Sequence, residues 1–133
     1  MREQEQAGYT VARILMSAIF LVAGARKLLS YTGTVGYFGS LGIPAPELVV
    51  GFVAVLEIMG AIALIAGWRT REVALMLAVF TLVSCLLGHR FWSADGPQFG
   101  NQLNHFLKNV AMVGGFIVIA LAAPRRSAAQ ARA

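Results

Sequence analysis

LVVGFVAVLEIMGAIALIA, residues Leu48–Ala66, decides the fold. A helix needs about 20 apolar residues to cross a bilayer, and this run supplies them with one ionisable group, Glu57. An unpaired carboxylate at that depth costs about 3 kcal/mol on the lenient scales. Glu57 must therefore be protonated, paired, or turned toward a polar cavity inside a helical bundle. The structural alternative is a hydrogen bond, as a neutral acid or to Lys27, that locks the bundle.

Outward from this run lie three more: Tyr9–Leu29, a third at about 72–91, and Phe106–Ala123. The third reaches spanning length only if Glu72 and His89–Phe91 are counted in its ends. Period-2 alternation is absent, which argues against strands. Of the 133 residues, 58% are hydrophobic and 13% charged, with a mean hydropathy of +0.71; a soluble domain carries about 25% charged residues. The fold class is all-α: an integral membrane four-helix bundle, one domain over residues 1–123. Residues 124–133 read as a disordered basic tail. Ala23-Gly24-Ala25 imitates a signal-peptidase site, but three further spans follow and Arg26-Lys27 reads as a helix-end anchor.

The net charge of +5 is scattered between apolar runs rather than gathered on a polar face, which excludes nucleic acid as a partner. The lipid bilayer is the partner such a pattern fits. A single cysteine, Cys85, rules out dithiol chemistry within the chain.

The connections differ in character. Tyr31–Glu47, rich in glycine and aromatic residues with Pro44 and Pro46, predicts a short amphipathic interfacial helix near Val35–Leu41 and a proline-led entry to the second span. Gly67–Arg71 reads as a tight turn with Trp68 at the interface. His89–Asn104 reads as a long polar loop turning at Asp95-Gly96-Pro97. With both termini on one side, Arg2, Arg13, Arg69, Arg71, Arg125, Arg126 and Arg132 share it, while Arg26, Lys27, Arg90 and Lys108 lie opposite. The positive-inside rule then puts both termini in the cytoplasm.

That topology gathers Lys27, Glu57, His89, Lys108 and Asn109 in the outer halves of their helices. Counted from Leu48 at the helical rise, Glu57 sits roughly 14 Å deep. Lys27 lies nearer the outer interface, so contact between them requires a helix offset or tilt. Thr81, Ser84, Cys85, Gly88 and His89 share one face of the third span, small enough for a helix–helix contact. Asn109, Met112, Val113 and Phe116 share a face of the fourth, where Gly114-Gly115 permits close approach.

Each candidate has a plain alternative. Lys27 can snorkel to headgroups or grip Glu57 or an anionic ligand. His89 can cap its helix or hydrogen-bond a quinone carbonyl. Asn109 can tie the fourth span to a neighbour. Cys85 reads as a small buried hydrophobe, and Arg26 and Arg90 as headgroup anchors. For a metal, His89 has Cys85 four residues earlier and His105 in the loop, too few ligands for a site. Haem would need an axial histidine within the bundle, with His89 and His105 as the sole candidates.

The runs AGARKL ending the first span, GSLGIPAP before the second, LEIMGAIALIAGWRTR through it, GHRFW after the third and FLKNVAMVGG opening the fourth resemble the DoxX family over about Val11–Ala122. The resemblance implies a four-helix bundle in the bacterial plasma membrane. It also implies an association with redox chemistry, since the family name comes from a subunit linked to quinol oxidation and thiosulfate:quinone oxidoreduction. Other members are tied to oxidative-stress and thiol-oxidation complexes. Lys27, Glu57, His89 and Asn109 match the family's recurrent polar positions.

The expectation is a redox-associated subunit that binds a quinone or similar amphipathic molecule in an outward-facing polar pocket. Lys27, Glu57, His89 and Asn109 are its ligand-binding candidates, with Cys85, His105 and Lys108 as secondary ones. The chain has no complete catalytic motif and no electron carrier, so it would be at most the membrane subunit of a quinone-linked oxidoreductase. The alternative is a non-catalytic scaffold for a partner oxidoreductase. Transport of a small solute ranks lower, because four short spans would have to form a homodimer to make a path.

Overall fold

A computed structural model of the chain describes residues 2–124. Among the described residues are five α-helices and no strand: α1 (Glu3–Leu29), α2 (Tyr31–Ser40), α3 (Pro46–Ala66), α4 (Thr70–Gly88) and α5 (Pro97–Ala122), with a 3₁₀ turn at Phe91–Ser93. All but α2 are long and apolar enough to cross a membrane. Leu15, Val55, Val79 and Val118, one from each long helix, are more than half exposed. Apolar surface on every outer face suits lipid and would not be tolerated in water. The chain is an all-helical membrane bundle. The tail expected to be disordered lies, beyond Pro124, outside the described residues.

The helices outrun the apolar segments that announce them. α1 begins at Glu3, six residues before Tyr9, with Glu3 and Glu5 in its first turn and Arg26 and Lys27 in its last. Those signs match the helix macrodipole at both ends. The Arg2 N–H donates to Glu5 Oε2 at 2.9 Å. α5 begins at Pro97, so much of the stretch read as a polar loop is helix. Gly96, at φ 55°, makes the turn, and proline's fixed φ starts the helix. The polar residues that follow mark where α5 leaves hydrocarbon, not where it stops being helical. Similarly, α2 starts at Tyr31, four residues earlier than Val35, because only Ser30 interrupts the helical path from α1.

The four long helices form two antiparallel pairs. In the first, α1 and α3 come closest at Gly24: a Cβ there would lie 2.7 Å from Ile58 Cγ1 and 3.1 Å from the Ala54 carbonyl oxygen. Only a glycine lets the backbones approach this far. At the far end of this pair Arg13 packs beneath Gly67, which ends α3 in the left-handed region at φ 75°. In the second pair, the Cys85 thiol of α4 donates to the Phe106 carbonyl of α5 at 3.6 Å.

The two pairs join in the half of the bundle away from α2. Phe20 of α1 packs on Phe116 of α5, ring centroids 5.5 Å apart, and on Phe80 of α4 at 6.2 Å. Gly60 of α3 faces Leu77 and Met76 of α4, and Gly115 of α5 faces Met16 of α1. Gly114, expected to share that close approach, has nothing near its Cβ position. The buried core, including Leu64, Leu77, Phe116 and Ile119, belongs to this half. Tyr9 adds a hydrogen bond from its hydroxyl to the Ile119 carbonyl at 2.9 Å.

Candidate functional site

In the other half, the two pairs part around a cavity of about 690 Å³. Every long helix and α2 contribute to its walls. Two tyrosines hold α2 across the top. The Tyr31 hydroxyl donates to the Glu47 carbonyl at the start of α3, and the Tyr37 hydroxyl donates to the Gly88 carbonyl at the end of α4, 3.3 Å away. Thr34, Tyr37 and Phe38 of α2, and Leu41 just after it, face the space below.

Lys27 and Glu57 meet on the wall between α1 and α3. Lys27 Nζ lies 2.9 Å from both Oε1 and Oε2 of Glu57. The glutamate side chain is 5% exposed and the lysine 20%, so the carboxylate is the deeper partner. The approach at Gly24 sets this contact. Glu57 Cβ lies 3.3 Å from the position of a Gly24 Cβ, and Lys27, three residues on, is about 4.5 Å farther along α1 at the helical rise. The two side chains together span that interval. An ammonium has three N–H donors; two face the carboxylate, leaving one for a ligand. Each carboxylate oxygen likewise keeps acceptor capacity.

His89 and Asn109 line the same cavity. His89 Nδ1 is 2.9 Å from Gln102 Oε1. A carbonyl oxygen can only accept, so Nδ1 carries the hydrogen, and Nε2 of the neutral ring is an acceptor. The donor role expected of His89 toward a quinone carbonyl therefore requires the imidazolium, whereas the neutral ring suits a quinol hydroxyl. Asn109 also contacts the Cys85 thiol, so its amide bridges the cavity wall and the α4–α5 seam.

The secondary candidates stand apart. Cys85 is 1% exposed and directed at the Phe106 carbonyl. His105 is exposed on α5, its ring stacked on His89 with centroids 5.0 Å apart. Lys108 is exposed and does not line the cavity. Among the described residues no cluster of three or more metal-ligating side chains occurs.

The polar row of the third span divides. Thr81, Ser84, Gly88 and His89 face the cavity, and Cys85 faces α5. The Thr81 hydroxyl donates to the Leu77 carbonyl at 2.7 Å and so is satisfied within its own helix. Arg26, read as a headgroup anchor, also lines the cavity. Tyr37 went unrecognised, although a tyrosine in the glycine-rich YTGTVGYFGSLG is the residue type that bonds at an interface.

Residues 8–90, more than half of the chain, match the family described as DoxX. The chain belongs to the DoxX family. Lys27, Glu57 and His89 fall inside the matched stretch and Asn109 outside it. Two similar relatives are Escherichia coli (strain K12) proteins. The inner membrane protein YphA is 35% identical over 114 residues, 86% of this chain and 81% of the relative. The inner membrane protein YqjF is 36% identical over 126 residues, 93% of this chain and 90% of the relative. A protein of Bacillus subtilis (strain 168) named "Putative oxidoreductase CatD" is 29% identical over 101 residues, 76% of this chain and 71% of the relative. No solved structure matches this DoxX-family chain.

Proposed function

We propose that this DoxX-family membrane protein binds a quinone or a similar amphipathic molecule in the cavity beneath α2, as the membrane subunit of a redox system. The observation that carries the proposal is one buried ion pair in the wall of a mostly apolar chamber that His89 and Asn109 also line. Ligand sites are mostly apolar with a few placed polar groups that fix orientation, and the Lys27–Glu57 pair is such a group. The free Lys27 donor suits a carbonyl oxygen, and Nε2 of His89 suits a hydroxyl. A quinone offers the first in its oxidised form and a quinol the second. The Asn109 amide can orient either. The name of the Bacillus relative favours redox chemistry. Electrons would pass to or from a bound cofactor or a partner oxidoreductase subunit.

The two Escherichia coli relatives are named inner membrane proteins. Together with the distribution of arginines, they support a plasma-membrane location with both termini in the cytoplasm and α2 on the opposite face.

One observation favours the scaffold alternative. Both carboxylate oxygens of Glu57 are already satisfied by Lys27, so the pair can serve packing alone. Purification in mild detergent, followed by organic extraction and an ultraviolet spectrum, separates the two readings. The binding reading predicts a quinone band from native protein and its loss from folded Glu57→Gln. A protein that carries no quinone and takes none up when it is supplied would be a scaffold.

A further inference from the structure

The two long edges of the cavity differ in chemistry. On the α1 side the lining carries Arg26 and Ser30 above Ile19, Phe20 and Ala23. Toward α3 and α4 the lining is mostly apolar, with Val49, Phe52 and Val53 from α3 and Val83 and Leu87 from α4, beside the hydroxyls of Thr81 and Ser84. Phe52 is 67% exposed, Val83 49% and Leu87 39%, so this edge continues onto the surface that faces lipid. The fissure is closed below, where Gly60 meets Leu77 and Met76. It is bounded above by α2, which the Tyr37–Gly88 bond ties to α4.

We propose that the α3–α4 fissure is a lateral portal through which the hydrocarbon tail of the ligand lies in the bilayer while its polar head sits at Lys27 and Glu57. The proposal rests on the head-binding reading above and specifies the ligand class further: a lipid-tailed molecule with an uncharged, hydrogen-bonding head. The head is uncharged because Lys27 and Glu57 already neutralise each other. The tail leaves by the α3–α4 side because a chain passing along Arg26 and Ser30 would strip a guanidinium and a hydroxyl of water without replacing it. Along Val53 and Val83 it displaces only lipid. The most exposed lining residues in this direction, Phe52, Val83 and Leu87, are apolar. Val53 and Val83 flank the passage, so their size sets which tails fit.

The full chain in lipid vesicles, given a benzoquinone bearing a decyl chain that ends in a photoreactive diazirine, tests this. After irradiation, adducts are mapped by peptide mass spectrometry, with and without excess tailless benzoquinone. The expected result is labelling of residues 49–53 and 83–87 that the tailless compound removes, with loss of those adducts in Val83→Trp. Val83 is half exposed and lies outside the buried core, so that change leaves the core intact. Competed adducts on α1 or α5 instead would overturn the portal and leave the head site standing. Labelling scattered over lipid-facing residues and indifferent to the competitor would overturn both.

Discussion

At the scale of single residues, the account turns on an asymmetric ion pair. A buried pair adds little net stability, because desolvation offsets attraction, but removing one partner strands the other. Here the partners are not equivalent. Lys27 lies in the last turn of α1, and its flexible stem can carry the ammonium toward the α2 end. Glu57 sits in the middle of α3 and has no such escape. Lys27→Met should therefore cost about 3–5 kcal/mol, the range for a stranded buried charge, and Glu57→Gln distinctly less. The double variant should recover much of the loss. Denaturation of the three proteins in detergent checks the order; equal losses from the two single changes would refute the asymmetry. The importance of Glu57 was legible in the sequence, since one carboxylate in nineteen residues of hydrocarbon has few explanations. Its contact with Lys27 was not. Depth counted from apolar boundaries puts the two at different levels, but α1 starts eight residues before Val11 and packs on α3 through Gly24. Helix offset depends on that packing, which hydropathy does not encode.

At the scale of elements, Gly24 marks the closest approach of α1 and α3. Its missing side chain lets α1 and α3 touch, and that contact places Lys27 within reach of Glu57. A leucine there would collide with Ile58 and with the Ala54 backbone. Ile58 can move but the backbone cannot. We expect Gly24→Leu to destabilise by about 1–3 kcal/mol, as overpacking does, and to weaken ligand binding as well, because the pair is drawn apart. Gly114→Leu, where nothing approaches, should do neither. Thermal unfolding and quinone retention of both variants, read side by side, decide it; equal effects would show that the α1–α3 contact is not what sets the site. The existence of the helices was legible because their apolar runs are long. Their ends were not, since Glu3–Gly8 and Pro97–Asn104 are helical despite being polar. Helix ends are set by caps and turns such as Arg2–Glu5 and Gly96-Pro97, while hydropathy reports only where lipid begins. The interfacial helix was legible as an element, but its role as a roof depends on Tyr31 and Tyr37 reaching residues 16 and 51 positions away.

At the scale of the whole molecule, the bundle is two helix pairs, fused in one half by Phe20, Phe80 and Phe116 and parted in the other by the cavity. The fused half provides stability, which frees the parted half to hold something other than protein. Orientation follows from charge: we expect a cysteine placed at Gly36 on α2, in a Cys85→Ala background, to react with a membrane-impermeant maleimide in intact cells. Reaction only after the membrane is opened would reverse the topology. The central claim is that a ligand head touches the Lys27–Glu57 pair, and infrared difference spectroscopy tests it directly. Reconstituted protein is compared with and without a benzoquinone, for the native chain and for Glu57→Gln. The account predicts carboxyl bands that shift when the quinone binds and are missing from the variant. Quinone-induced spectra that are the same in both proteins would contradict it.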